Sequence, residues 1–544
     1  MAPFPTFVAV ILSSILPVFC TPVSVSLSRG SNPSVTIDCG TIVGTTAPFS
    51  SAGNVAQFLG VRFAQPPVRF APPQPAQPWS GVYDASRYKP TCIQQFSYPE
   101  DARNNAIKWF NTPPPPGGES EDCLFLNVYA PGDASVGDNK AVMVWFYGGG
   151  FVFGSGAIPS YDGSSLAANQ DVIVVTFNYR TNVFGFPGSP EIPKTQQNLG
   201  LLDQRLALDW VQRNIAAFGG DPQRVTIFGQ SAGSGSVDTL ITAPPEPVPF
   251  AAAIMESGVG TVSLPQEKSA TSWQRLVVAA KCPPTNALAC IRALPASQIK
   301  DMIEHKALDW FPIHDGGVTF ADRPRVDRLR SRRENSRVAR VPILIGSTAN
   351  DAGVAVYGRL DVKKVLSAIL PEGTPLGFIT TLLAAYPVGS PGLLDTNAQL
   401  ARILTELAFQ CPSAIVAEDS RAVGIPSWRY FFNASFANSE LYPGSGAYHS
   451  SEIKPVFGTY PRDGATPFNA QLSVVMQKAW ADFAKNPTQG PGWASVPEVA
   501  VLGGGATPGL DDVGRQAVTV IRSDQIDQRC PLFKVIYDLA SSLP

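Results

Sequence analysis

Apolar residues along this chain gather into short, nearly uninterrupted runs separated by stretches of helical periodicity. Runs of this kind cover 142–146, 172–177, 225–228, 343–345 and 430–432. A strand that is apolar on both faces is one covered on both faces, as in a parallel sheet with helices on either side. Between the second and third runs, Leu199, Leu202, Leu206, Trp210, Val211 and Ile215 recur at helical spacing. They predict a crossover helix over 199–217 with those side chains on one stripe. Strand and helix alternating in this way predict an α/β fold built on a large, mostly parallel sheet covered by helices on both faces. No charge run, Gly/Ser tract or repeat divides the chain, so 21–544 reads as a single domain, although 544 residues would on length alone suggest roughly three at about 150 each.

The first twenty residues differ from the rest. Positions 7–19 are almost entirely apolar and are followed by Cys20 and Thr21, the layout of a signal peptide with a small residue near the cut. The competing reading, a membrane anchor, needs about 20 apolar residues. The stretch before the run carries no Lys or Arg. No later segment reads as long and apolar enough to span a bilayer, so the mature chain is expected to be secreted. With a net charge of −2 and 15% charged residues, no global field favours nucleic acid or an anionic membrane. The basic stretch 323–333, with Arg325, Arg328, Arg330 and Arg332 inside it, reads as a solvated loop or helix face.

Export would place Cys39, Cys92, Cys123, Cys282, Cys290, Cys411 and Cys530 where disulfides persist. Sequence alone leaves the pairing open; Cys282 and Cys290 are close neighbours across a Pro-Pro turn, Cys92 and Cys123 would close a moderate loop, and Cys39 is the natural remainder. Asn433, in Asn-Ala-Ser, is a candidate glycan acceptor.

Candidate chemistry concentrates at Gly229-Gln230-Ser231-Ala232-Gly233, where an apolar strand stops and a helix-forming stretch begins. This is the G-x-S-x-G turn that lifts a serine hydroxyl above a sheet edge. Its flanking glycines let strand and helix pack closely around a strained serine backbone. A serine needs a base, and the chain has three histidines, His305, His314 and His449. His305 lies in a helical stretch and His314 before a turn, so both read as ordinary surface histidines. His449 follows Gly444-Ser445-Gly446, a flexible loop after the 430–432 strand, and is the candidate base. The third member should be a carboxylate that orients the imidazole. Asp351, shortly after the 343–345 strand, is the candidate, with an Asx turn as the plain alternative. Tyr147-Gly148-Gly149-Gly150-Phe151 offers unobstructed amides, and Gly149, Gly150 and Ala232 are the candidate oxyanion donors. Such a mechanism needs no metal or organic cofactor, and the sparse histidines form no convincing metal cluster.

Two long stretches, 218–233 (FGGDPQRVTIFGQSAG) and 121–131 (EDCLFLNVYAP), resemble the two signatures of the type-B carboxylesterase family of α/β-hydrolases, which includes cholinesterases and large fungal lipases. The resemblance extends over nearly the whole mature chain. It implies disulfides joining Cys92 to Cys123, Cys282 to Cys290 and Cys411 to Cys530, an Arg69–Glu121 ion pair, and support near His449 from Glu452 and Ser257. Three departures stand out. The acid motif of the family is Glu then Gly, whereas this chain has Asp351-Ala352-Gly353; another register would put Ala352 at the acid's place, and counting from Gly346 favours Asp351. Gln230 replaces the Glu that precedes the nucleophile in cholinesterases, which argues against a cationic choline substrate. The loop between Cys92 and Cys123 carries Tyr98, Trp109, Phe110 and four prolines from Pro113; by resemblance it is a lid or gorge rim, and its aromatics suggest a hydrophobic acyl or alcohol group. The expected activity is hydrolysis of small-molecule or lipid esters. A triacylglycerol or steryl-ester lipase with an interfacial lid, and a non-catalytic adhesion relative on the same fold, are the alternatives.

Overall fold

The computed structural model describes residues 32–49, 53–260, 267–332, 334, 336–506 and 514–542; the signal-peptide reading of 1–20 lies outside them. Eleven strands form the main sheet: β1 Thr45–Phe49, β2 Gly53–Arg62, β3 Phe125–Pro131, β4 Lys140–Phe146, β5 Ile173–Phe177, β6 Gly220–Gln230, β7 Ala252–Glu256, β8 Ile343–Thr348, β9 Ser427–Ala434, β10 Glu498–Ala506 and β11 Val518–Arg522. Their spatial order is β11-β10-β9-β8-β7-β6-β4-β5-β3-β2-β1. Every pairing from β5 across to β10 is parallel, and the flanking pairs are antiparallel. A separate small sheet joins Ser34–Ile37, Gly40–Val43 and Val82–Asp84.

All five strands expected from apolar runs are present. The central ones are buried along their length, β5 and β8 at every residue, as double coverage by helices requires. Seven helices bear on the argument: α1 Glu100–Phe110, α2 Leu199–Asn214, α3 Ala232–Thr242, α4 Pro324–Arg330, α5 Thr396–Thr405, α6 Cys411–Ala422 and α7 Ile453–Phe457. The crossover helix ends at Asn214 and tightens into a 3-10 turn over Ile215–Phe218. Four residues of its expected stripe, Leu199, Trp210, Val211 and Ile215, are buried, and the buried face takes in more than that stripe. Leu202 and Leu206 are half-buried, while Asp203 and Gln204 are buried with Leu201, Ala207 and Leu208. Two polar contacts widen the face: Asp203 pairs with Arg180 through bonds of 2.8 and 2.9 Å, and Gln204 donates to Ser236 at 2.9 Å.

Three further expectations need correction. The basic stretch is not uniformly solvated, because Arg328 on α4 is buried and ion-pairs with buried Asp238. His314 is buried rather than superficial, its Nδ1 bonded to the Ala321 carbonyl at 2.8 Å, and burial lowers its pKa. Finally, α5, a π-turn over Glu406–Gln410 and α6 form a continuous helix, 396–422, long and apolar enough to cross a membrane. Two-thirds of its most apolar window (67%) is buried within the fold, and it carries Glu406, which accepts from Tyr386 and Arg529.

Cys92 bonds Cys123, Cys282 bonds Cys290, and Cys411 bonds Cys530, while Cys39 is free and buried. Arg69 grips Glu121 with two bonds of 2.8 and 2.5 Å. A second apolar cluster, including Leu366, Tyr386, Leu400 and Phe533, is distinct from the core around the sheet and is stapled within itself by the last of these disulfides.

Candidate active site

Strand β6 delivers Ser231 to the sheet's edge, and α3 leaves from it. Ser231 has φ 56° and ψ −121°, a region that costs a non-glycine residue about 1–3 kcal/mol and persists only when its surroundings over-determine it. Here they do. The Ser231 amide donates to the Glu256 carbonyl on β7 at 2.8 Å, and its own carbonyl receives the Gly235 amide at 2.9 Å. A side chain at Gly229 would meet the Phe146 carbonyl at 2.7 Å, and one at Gly233 would collide with that same carbonyl. The glycines are therefore required by the contact of β6 and α3 with the end of β4.

His449 and Asp351 arrive on two loops that are stapled together. The Asn350 amide donates to Ala447 at 2.8 Å, and its side chain donates to Ser445 at 2.9 Å. The loop after β8 thus runs beside the loop carrying His449, and His449 Nδ1 lies 2.8 Å from Asp351 Oδ1. Asp351, and not Ala352, holds this position; the Ala352 amide turns to Thr405 Oγ1 at 3.0 Å. Asp351 is 1% exposed, and its other oxygen accepts from the Thr348 amide at 2.8 Å and from Ser257 Oγ at 3.0 Å. Bonds of this kind fix a buried carboxylate in direction.

With Asp351 receiving the Nδ1 proton, His449 Nε2 carries the lone pair. Gln230 Nε2 lies 3.1 Å from it and donates. No hydrogen bond joins Ser231 Oγ to His449 in this state, so buried Gln230 holds the place a serine proton would take. The ring of Phe409 packs against the imidazole with centroids 5.0 Å apart.

Of the two residues expected to support His449, Ser257 bears on it through Asp351, and the Glu452 carboxyl makes no hydrogen bond among the described residues. Glu452 is fully buried. Glu256 is its neighbour in charge: one oxygen accepts from Trp480 at 2.8 Å and the other is unpartnered. Burial pushes both carboxyls well above the ordinary range, and for Glu452 repulsion from Glu256 and Asp351 adds to it.

The glycine turn after β4 is anchored behind by two tyrosines. Tyr147 OH donates to the Tyr179 carbonyl and Tyr179 OH to the Tyr147 carbonyl, each at 2.7 Å, with the rings stacked 4.1 Å apart. Gly149 and Gly150 have φ 110° and 61°, which favours residues without Cβ. Gly149, Gly150, Ser231 and His449 border one cavity of about 420 Å³, whose walls also include Trp109, Phe110 and Phe153. Ala232, first residue of α3, follows the serine directly. Of the aromatic loop, Trp109, Phe110 and Pro113 reach the cavity, whereas Tyr98 stacks on exposed His305 with ring centroids 4.2 Å apart. Asn433 is half-buried on β9.

A hydroxyl at a strained turn, an imidazole held by a buried carboxylate and glycine amides beside a cavity suit acyl transfer. The comparisons with known proteins agree with that chemistry. Residues 31–500 match the model of the carboxylesterase family. Carboxylesterase 1F of Mus musculus is 33% identical over 473 residues, 79% of this chain and 82% of its own length. Liver carboxylesterase of Sus scrofa is 33% identical over 79% of this chain and 81% of its own. Acetylcholinesterase of Bungarus fasciatus is 30% identical over 90% of this chain and 83% of its own. A match this long, on an α/β-hydrolase sheet, shows that the chain belongs to the carboxylesterase family and is a carboxylic ester hydrolase.

Proposed function

We propose that the protein is a secreted serine esterase that cleaves esters with a hydrophobic acyl or alcohol group through an acyl-enzyme on Ser231. The observation that carries the reading is the 2.8 Å contact of His449 with buried Asp351 beside a serine held at positive φ. Binding of substrate displaces the Gln230 amide from Nε2, since catalytic hydrogen bonds tighten only in the occupied site. His449 then takes the Ser231 proton as Oγ attacks the ester carbonyl, and the amides of Gly149, Gly150 and Ala232 receive the developing oxyanion. The imidazolium returns its proton to the leaving alcohol. Water, deprotonated by the same imidazole, hydrolyses the acyl-enzyme and frees the acid. Asp351 holds the tautomer throughout.

Trp109, Phe110 and Phe153 around the cavity support an apolar substrate group. The three disulfides and the Asn-Ala-Ser at Asn433 support passage through an oxidising secretory compartment. A 4-nitrophenyl ester series from acetate to palmitate, run with wild type and Ser231→Ala, tests the reading. Activity confined to wild type is expected, and its chain-length profile separates esterase from lipase. Activity that survives in Ser231→Ala would remove the serine from the mechanism. Silence of a folded wild type on every ester would favour the adhesion relative.

A further inference from the structure

Among the described residues, no Asp or Glu lines the cavity over Ser231, and the one lysine there is Lys454, five residues past His449 on α7. Lys454 is half-buried, and burial pushes the pKa of its ammonium down with no carboxylate acting against that shift. No hydrogen bond or ion pair joins its Nζ to any described residue. Other shielded lysines differ: Lys140 has Asp171 at 2.7 Å and Lys300 has Glu119 at 2.7 Å. An unpaired cation partly removed from water is destabilising, and in a wall whose other polar side chains are hydroxyls, Gln230 and His449 it is the one standing positive charge beside a bound molecule. We infer that Lys454 anchors an anionic group, such as a carboxylate, on the acyl or alcohol part of the ester cleaved at Ser231. This rests on the ester-hydrolase reading of the site. It narrows the substrate class to esters with an apolar body and a negatively charged end, the opposite of a choline ester. Gln230 fits the same preference, because it keeps the position before the nucleophile neutral.

Two matched pairs of esters test it on the full chain: 4-nitrophenyl hydrogen adipate against its methyl ester, and 3-acetoxybenzoate against methyl 3-acetoxybenzoate. In at least one pair, kcat/KM is expected to favour the charged ester, and Lys454→Gln is expected to lower that charged-to-neutral ratio on the order of tenfold, the effect of losing a charge-assisted bond. Lys454→Arg should retain most of the ratio. If the variants do not fold, the wild-type ratios decide alone. Neutral esters cleaved as fast as or faster than charged ones in both pairs, or a ratio unmoved in Lys454→Gln, would overturn the inference and leave the esterase reading standing. Wild type inactive on all four esters would overturn both.

Discussion

Ser231, His449 and Asp351 come from three loops separated by about a hundred residues each in sequence, and each was legible for its own reason. The serine sits in a motif whose glycines are dictated by contact with Phe146; the histidine was found by elimination among three; the acid was found by its place after a strand. What sequence could not show is how side chains meet across those loops. Asn350, which staples the acid loop to the histidine loop, looks like any turn asparagine. Gln230 was noticed for the charge it lacks, and not for its hold on His449 Nε2. Nor does sequence show that Ser257 supports His449 by way of Asp351, or that the Glu452 carboxyl makes no hydrogen bond among the described residues. Replacing Asp351 by Asn keeps the shape but lets the imidazole take the wrong tautomer, so kcat should fall about 10⁴-fold. Circular dichroism and 4-nitrophenyl ester kinetics check this together; a folded Asp351→Asn retaining more than a tenth of wild-type kcat would deny the acid its role.

Elements were readable where they were strongly apolar and long enough to carry a period. Strand β6 extends beyond its apolar run because Gly220 pairs with Lys140 across an irregular stretch, 221–224. Strand β7 has one β-branched residue, Ile254, after two alanines, and β10 has Val499 and Val501 ahead of Gly503 to Gly505, signals too short to stand without their pairing. The helix 396–422 passed unnoticed as an apolar span because Glu406, Arg402 and Gln410 interrupt it in sequence, whereas in the fold they find partners. Its second half begins at Cys411, whose disulfide to Cys530 closes 119 residues. A loop of that length is worth several kcal/mol by chain entropy, so Cys411→Ala with Cys530→Ala should lose roughly 2–5 kcal/mol of stability. Denaturant unfolding measures it, and a double variant as stable as wild type would mean the second apolar cluster holds without its staple. Removal of one partner from a buried ion pair is the companion case: Asp203→Ala, which strands Arg180, should cost about 3–5 kcal/mol.

For the molecule as a whole, a near-neutral surface places the pH response in buried groups. Glu256 and Glu452 have an ordinary pKa of 4.5, and both are raised in the fold by burial. The folded state therefore keeps protons that the unfolded chain gives up. Stability from this source is fully present below the unfolded value and is lost as pH rises through the raised folded values. Glu452→Gln removes part of that loss, so its Tm relative to wild type should climb as pH is taken from about 5 to about 8. A Tm difference that stays flat across that range would mean that the pair does not titrate there. In the proposed function the cavity, the cradle of glycines and the buried acid all serve one nucleophile. Intact-mass and peptide mapping of the protein after reaction with a fluorophosphonate tests this at the residue itself. One adduct is expected, on Ser231, formed by wild type and lost in Ser231→Ala; a wild-type protein that stays unlabelled, or carries its adduct on another residue, would rule that nucleophile out.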